Sequence, residues 1–340
     1  MKHWMRLCIL LLAFLLLMAP AAMAYEIPND FTGKTLEEVV EEFMQANNLD
    51  ETNFSVSYYN TVTGERYAFN DKRFMVAGST YKLPLNMYYY ELEQEGTMAP
   101  DAYISRAGAA LNIAHEHSLV YSDNDMSIGL LYNLGEFRDY KNAMKKYFTM
   151  PEEEIDPIYY TGNYYCTNMM MDALMYLYEY RADFEEMIGY MKLAQPGEYF
   201  KAGVTEYEVA HKYGWFDGAV NDVGIIYTPQ PILLAVYTQF VTQDIVAEAA
   251  ALFTAYTLWQ DPPVQEQGTQ KLELELTYEP QEPVQEVFAP QEQAEEPLPE
   301  QIKQTAFEWW MIAVSLGVFL LGGGIVLLSI NPKRQKKHEK

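Results

Sequence analysis

Apolar and polar positions follow two periods along this chain, and the switches between them mark its elements. From Thr35, the residues Leu36, Val39, Val40, Phe43 and Met44 recur at helical spacing behind a Thr35-Leu36-Glu37-Glu38 start that suits a capped helix. Phe54–Tyr59 and Glu65–Phe69 read as two strands joined by Asn60-Thr61-Val62-Thr63-Gly64, a hairpin signal. A second helix opens at Gly78-Ser79 and runs through Tyr88-Tyr89-Tyr90 to about Glu95. The stretch from 97 to 200 is helix-rich, with candidates at Tyr140–Phe148 and Thr167–Tyr180. Its Met169-Met170-Met171 run, with Leu174, Met175 and Leu177, reads as core. Strand patterns return at Val209–Trp215, Ala219–Tyr227 and Ile232–Tyr237, and a helix over Asp244–Leu258 follows. This order predicts an α+β fold over residues 25–260: an antiparallel sheet drawn from both ends of the domain, flanked by helices, with a helical insertion.

The flanks read differently. Residues 1–24 have a basic start (Lys2, His3, Arg6), an apolar run Leu7–Met18 and a small-x-small site Ala22-Met23-Ala24, the pattern of a secretory signal peptide. Residues 261–304 hold seven prolines and eleven acidic residues, a composition expected to form an extended, disordered stalk. Trp309 to Ile330 are 22 uncharged residues, enough to cross a hydrocarbon layer of about 30 Å. They predict one C-terminal transmembrane helix within 305–331. The tail 332–340 carries Lys333, Arg334, Lys336, Lys337 and Lys340, which places it in the cytoplasm and the 25–260 domain outside the cell membrane.

Composition narrows the partners. The net charge is −25, so the chain repels phosphate backbones and no nucleic-acid binding is expected. Of the two cysteines, Cys8 falls in the signal segment. Cys166 then stands alone, without a disulfide partner, and reads as packing. His115-Glu116-His117 does not place two ligands on one helix face, so no metal or other cofactor is expected.

The candidate chemistry begins at Ser79-Thr80-Tyr81-Lys82. On a helix, positions i and i+3 share a face, so the Lys82 amine is expected to reach the Ser79 hydroxyl and, when neutral, to take its proton. A helix start also offers N–H groups to an oxyanion. Alone this pattern does not clear chance: nine serines and 16 lysines in 340 residues give about 0.4 such pairs. What lifts it is Ser122-Asp123-Asn124, in the loop-like stretch Tyr121–Asp125, and Lys212-Tyr213-Gly214 on a predicted strand entering the turn Trp215-Phe216-Asp217-Gly218.

These three elements, in this order, resemble the S-x-x-K, S-D-N and K-T-G set of the serine β-lactamase and penicillin-binding protein superfamily, in its class A β-lactamase-like form. The resemblance covers about 35–260. It implies that Ser79 attacks a carbonyl, with Lys82 as its base or the base's partner, and that Ser122 relays a proton to the leaving nitrogen. It implies further that Asn124 touches the substrate's acyl side chain, that Asp123 shapes the loop, and that Lys212 attracts a carboxylate and acidifies Ser122. The backbone N–H groups of Ser79 and Trp215 would form the oxyanion hole. The implied substrates are β-lactams or the acyl-D-alanyl ends of cell-wall peptides.

Two departures qualify the resemblance. Tyr213 stands where the third motif has Ser or Thr, and a phenol does not put its oxygen where a short hydroxyl would. No E-x-x-L-N segment, which supplies the deacylating glutamate in class A enzymes, precedes Cys166-Thr167-Asn168. The acids of 150–160 (Glu152, Glu153, Glu154, Asp156) read as a solvated turn. A complete acylation apparatus without efficient deacylation is the expectation. The alternative is a binding module that acylates slowly or not at all and senses cell-wall peptide.

Overall fold

A computed structural model describes residues 25–260. The expected signal peptide, stalk, C-terminal span and tail lie outside the described residues, and among those described no helix is long and apolar enough to cross a membrane.

Helix α1 (Leu36–Ala46) is entered as its sequence predicts. Glu38 N donates to Thr35 Oγ1 and Thr35 N donates to the Glu38 carboxylate, while Leu36, Val39, Val40, Phe43 and Met44 are buried. Strands β1 (Phe54–Asn60) and β2 (Arg66–Phe69) form the first hairpin. After the short strand β3 (Met75–Val76) and a 3-10 turn (Gly78–Tyr81), helix α2 (Lys82–Gln94) enters the helical region. That region holds strands β4 (Tyr103–Ile104) and β5 (Ala109–Ala110), then helices α3 (Leu111–Leu119), α4 (Asn124–Asn133) and α5 (Phe137–Met144). Strand β6 (Tyr164–Tyr165), helices α6 (Thr167–Glu179) and α7 (Glu185–Leu193) and the single turn α8 (Phe200–Gly203) complete it. Strands β7 (Val209–Phe216), β8 (Ala219–Ile226) and β9 (Ile232–Thr238) return to the sheet, and α9 (Gln243–Trp259) follows.

The five long strands form one antiparallel sheet in the order β2-β1-β9-β8-β7. Strand β9 joins the two chain ends, pairing Val56 with Val236 on one side and Asp222 with Val236 on the other. Its residues are all buried because both sheet faces are covered. Leu233, Ala235 and Tyr237 pack with the helical region, while Ile232, Leu234 and Val236 pack with α1 and α9. A strand covered on both faces reads as a continuous apolar run, which is why β9 stands out in the sequence, while Asn221-Asp222 interrupt β8.

The differences from expectation are local. Residues 145–148 leave helix α5 for a 3-10 turn, Lys145–Tyr147. Asn124 does not lie in a loop: it opens α4, whose N-cap is Asp123. The α-helix after Gly78 begins at Lys82, so Ser79 sits in a preceding 3-10 turn, where positions i and i+3 still share a face.

Candidate functional site

The Gly78–Tyr81 turn lies against the edge strand β7, and two glycines make that contact possible. A Cβ on Gly78 would stand 2.8 Å from Trp215 N, and one on Gly214 would stand 2.7 Å from Ser79 N and 2.6 Å from Ala77 O. Gly78 also has a φ of +58°, in the left-handed region that glycine enters without penalty. The two main chains therefore touch, bringing the N–H groups of Ser79 and Trp215 to the same seam. The Trp215 side chain points away and is 70% exposed.

Lys82, the first residue of α2, is fully buried. Its Nζ donates to Ser122 O at 2.6 Å, Asn124 Oδ1 at 2.9 Å and Asp123 O at 3.0 Å, with Ser122 Oγ further off at 3.4 Å. Ser79 Oγ is not among these partners and makes no hydrogen bond to a described residue. A 3-10 turn keeps positions i and i+3 on one side, so what holds the amine from Ser79 is its three bonds to the Ser122–Asn124 turn. Burial brings the Lys82 pKa down to about 7, partly opposed by the charge of Asp123. Three acceptors for three protons favour the ammonium, and burial favours the amine, so both forms are accessible near neutral pH.

Lys212 comes from β7 and is likewise buried. Its Nζ donates to Ser122 Oγ at 3.0 Å and Tyr213 O at 2.9 Å. Burial, followed by the charge of Lys82, pulls the Lys212 amine well below the usual lysine range. Ser122 therefore offers its hydroxyl to two lysines and its carbonyl to one. It does so with φ at 55°, a left-handed conformation costing about 1–2 kcal/mol, braced by Asp123 N donating to His117 O at 2.9 Å. Asp123 acts as expected, accepting from Met126 N at 2.9 Å and fixing the turn into α4. Asn124 is brought to Lys82, with its remaining surface exposed.

Tyr213 lies half-buried beside Lys212. Its ring stacks on Tyr199 at 4.8 Å, and Lys212 Nζ lies 4.0 Å from its centroid. Burial raises the phenol above the usual tyrosine range, against the hydrogen bond from Ser122.

The acids of 150–160 are all exposed. Glu152 pairs with Lys145 and Tyr160, Glu154 with Lys72 at 2.5 Å, and Asp156 caps Ile158 N. The residue that sequence reasoning missed is Asn163. Its carbonyl accepts from Ala77 N at 2.9 Å, and its Nδ2 donates to Gly78 O at 2.6 Å. The run Tyr159-Tyr160-Thr161-Gly162-Asn163 ends on the Asn of the E-x-x-L-N pattern, with a tyrosine in the glutamate's place. That spacing was the available signal.

The other candidates are structural. His115 is buried against the Tyr90 ring at 4.1 Å, with Nδ1 2.7 Å from Asn86 Oδ1. Among the described residues no cluster of His, Cys, Asp and Glu could hold a metal ion. Cys166 is buried, and burial pushes its thiol up to about 12, which makes it inert.

The sequence pattern defining the beta-lactamase enzyme family matches residues 35–256. Among solved structures, the class A beta-lactamase of the last common ancestor of Gram-negative bacteria superposes with a TM-score of 0.54 at 19% identity, covering 65% of this chain and 98% of that one. A beta lactamase from Burkholderia vietnamiensis gives 0.56 at 16% identity, covering 68% and 100%. At these identities the likeness is one of fold. No curated protein matches the chain.

Proposed function

The chain belongs to the beta-lactamase enzyme family, and from that we propose that its folded domain is a serine acyl-transfer centre with Ser79 as the nucleophile. The observation that carries this reading is Ser122 Oγ held 3.0 Å from Lys212 Nζ and 3.4 Å from Lys82 Nζ, beside the turn that bears Ser79.

Ser79 Oγ attacks the carbonyl carbon of a β-lactam or an acyl-D-alanyl peptide while its proton passes to the neutral amine of Lys82. This requires Lys82 to release one of its three acceptors. The oxygen of the tetrahedral intermediate accepts from the N–H groups of Ser79 and Trp215. The carbon–nitrogen bond then breaks, the electron pair stays on nitrogen, and the Ser122 hydroxyl gives that nitrogen its proton. Lys82 returns a proton to Ser122, leaving a neutral amine and an ester on Ser79. Lys212 attracts the substrate carboxylate and stabilises the Ser122 oxygen as it gives up its proton.

Release needs water to attack the ester. The four acids of the 150–160 segment are exposed, and Glu152, Glu154 and Asp156 are engaged elsewhere, which supports slow deacylation. The same observation favours a second reading: a slowly acylating, penicillin-binding or cell-wall-peptide-sensing module. The predicted signal and C-terminal span support a place outside the cell membrane for either activity, with the tail in the cytoplasm.

The full chain is tested with a fluorescent penicillin beside Ser79→Ala, following covalent labelling and its decay. The acyl-transfer reading requires labelling that disappears in Ser79→Ala. Persistent label supports the module or peptidase reading, and rapid loss of label supports a β-lactamase.

A further inference from the structure

The mechanism above makes no use of the most deeply buried amine outside the site. Lys141, on α5, is fully buried. Its Nζ lies 3.6 Å from the Tyr165 ring centroid and 4.1 Å from that of Tyr159, and among the described residues no carboxylate pairs with it. A hydrocarbon side chain would fill this space without the desolvation an amine incurs. What only the amine supplies is a donor, and it donates to Tyr164 O at 3.2 Å. In the other direction, Tyr159 Oη donates to the Lys141 carbonyl at 2.8 Å. One residue thus fastens the 159–164 segment at both ends.

Asn163 lies inside that fastened segment and grips the Gly78 turn from both sides, through Ala77 N and Gly78 O. The Gly78–Ser79 peptide is planar and trans, so its C=O and N–H point in opposite directions. Fixing Gly78 O on Asn163 therefore aims the Ser79 N–H away from Asn163, into the seam with Gly214 and Trp215.

We propose that Lys141 and Asn163 are positioning residues for the oxyanion site, Lys141 holding the 159–164 segment and Asn163 setting the direction of the Ser79 N–H through Gly78 O. This rests on the acyl-transfer reading and adds a source of rate that touches no substrate.

The test compares the full-length wild-type chain with Lys141→Met, Asn163→Ala and the double variant. The limiting rate of Ser79 labelling by fluorescent penicillin is separated from the apparent dissociation constant. Amide hydrogen exchange is followed at Ala77. Each single variant should lower the limiting rate about tenfold, less than the ~10²–10³ that deleting an oxyanion donor costs. The dissociation constant should stay put, and the double variant should be no slower than Asn163→Ala, because both act through one bond. Ala77 exchange should quicken in Lys141→Met. An unchanged rate, losses that multiply in the double variant, or unchanged Ala77 exchange would overturn the proposal. Should Lys141→Met fail to fold, Tyr159→Phe removes only the bond to the Lys141 carbonyl and should move rate and exchange the same way, to a smaller extent. If the wild-type chain does not label at Ser79, the acyl-transfer reading falls by itself, and Ala77 exchange still decides whether Lys141 holds the segment.

Discussion

Lys212 Nζ stands 3.0 Å from Ser122 Oγ, and both residues reach that contact from separate elements, an edge strand and the turn before a helix. A hydroxyl bound to a buried amine that is itself pulled well below the usual lysine range is a poised proton carrier. Ser122→Ala should lower the Ser79 acylation rate by about 10²–10⁴-fold, the range for a lost general acid. Lys212→Met should chiefly weaken the capture of anionic substrates. Stopped-flow labelling across a penicillin titration separates the two, and an unaltered rate in Ser122→Ala would exclude it from the proton path.

Lys82 sets the pH response. As base it must be neutral, and its pKa is brought down to about 7 by burial. Below that value Lys82 holds its proton, so acylation should be slow there, climb through about pH 7 and level off above. The rate of labelling measured from acid to mildly alkaline buffer checks this. A flat profile would remove Lys82 from the role of base.

Gly214 should tolerate no side chain. A methyl group would meet Ala77 O at 2.6 Å and Ser79 N at 2.7 Å, both of them backbone atoms that cannot swing aside. Gly214→Ala should separate β7 from the Ser79 turn, cost about 2 kcal/mol of stability and reduce acylation about 100-fold, as for a lost oxyanion donor. Urea unfolding and labelling on the same sample give both numbers.

Behind β7, His211 and Asp222 form a fully buried pair at 2.6 Å, and the other His211 nitrogen faces Ala194 O at 3.0 Å. Asp222 also accepts from Phe200 N at 3.0 Å, which ties α8 to the sheet. Asp222→Asn should cost about 3 kcal/mol or more, because it leaves one half of a buried pair uncompensated. Chemical denaturation reads this directly, and a loss below about 1 kcal/mol would show that the pair does not hold α8 to the sheet.

Particular residues show what was legible. Thr35 and Glu38 announced α1, because a capping box needs only residues three apart. The apolar run Ile232–Tyr237 announced β9 as a strand. The three motifs placed Ser79, Lys82, Ser122 and Lys212 in one site, and the structure brings Lys82, Ser122, Asn124 and Lys212 into direct contact. Asn163 escaped notice because its bonds span 85 residues and its neighbourhood lacks the expected glutamate. Lys141 escaped because an amine among tyrosines has no sequence signature.

The sequence by itself determined the α+β order of elements and the identity of the chemical groups, since these follow from local periodicity and from residue types at fixed spacing. Only the tertiary structure decided how those groups are aimed. Three acceptors from a distant turn surround the Lys82 amine and hold it from Ser79, and Asn163 fixes the peptide that carries the Ser79 N–H. Direction depends on contacts between segments far apart in the chain, and no local pattern encodes it.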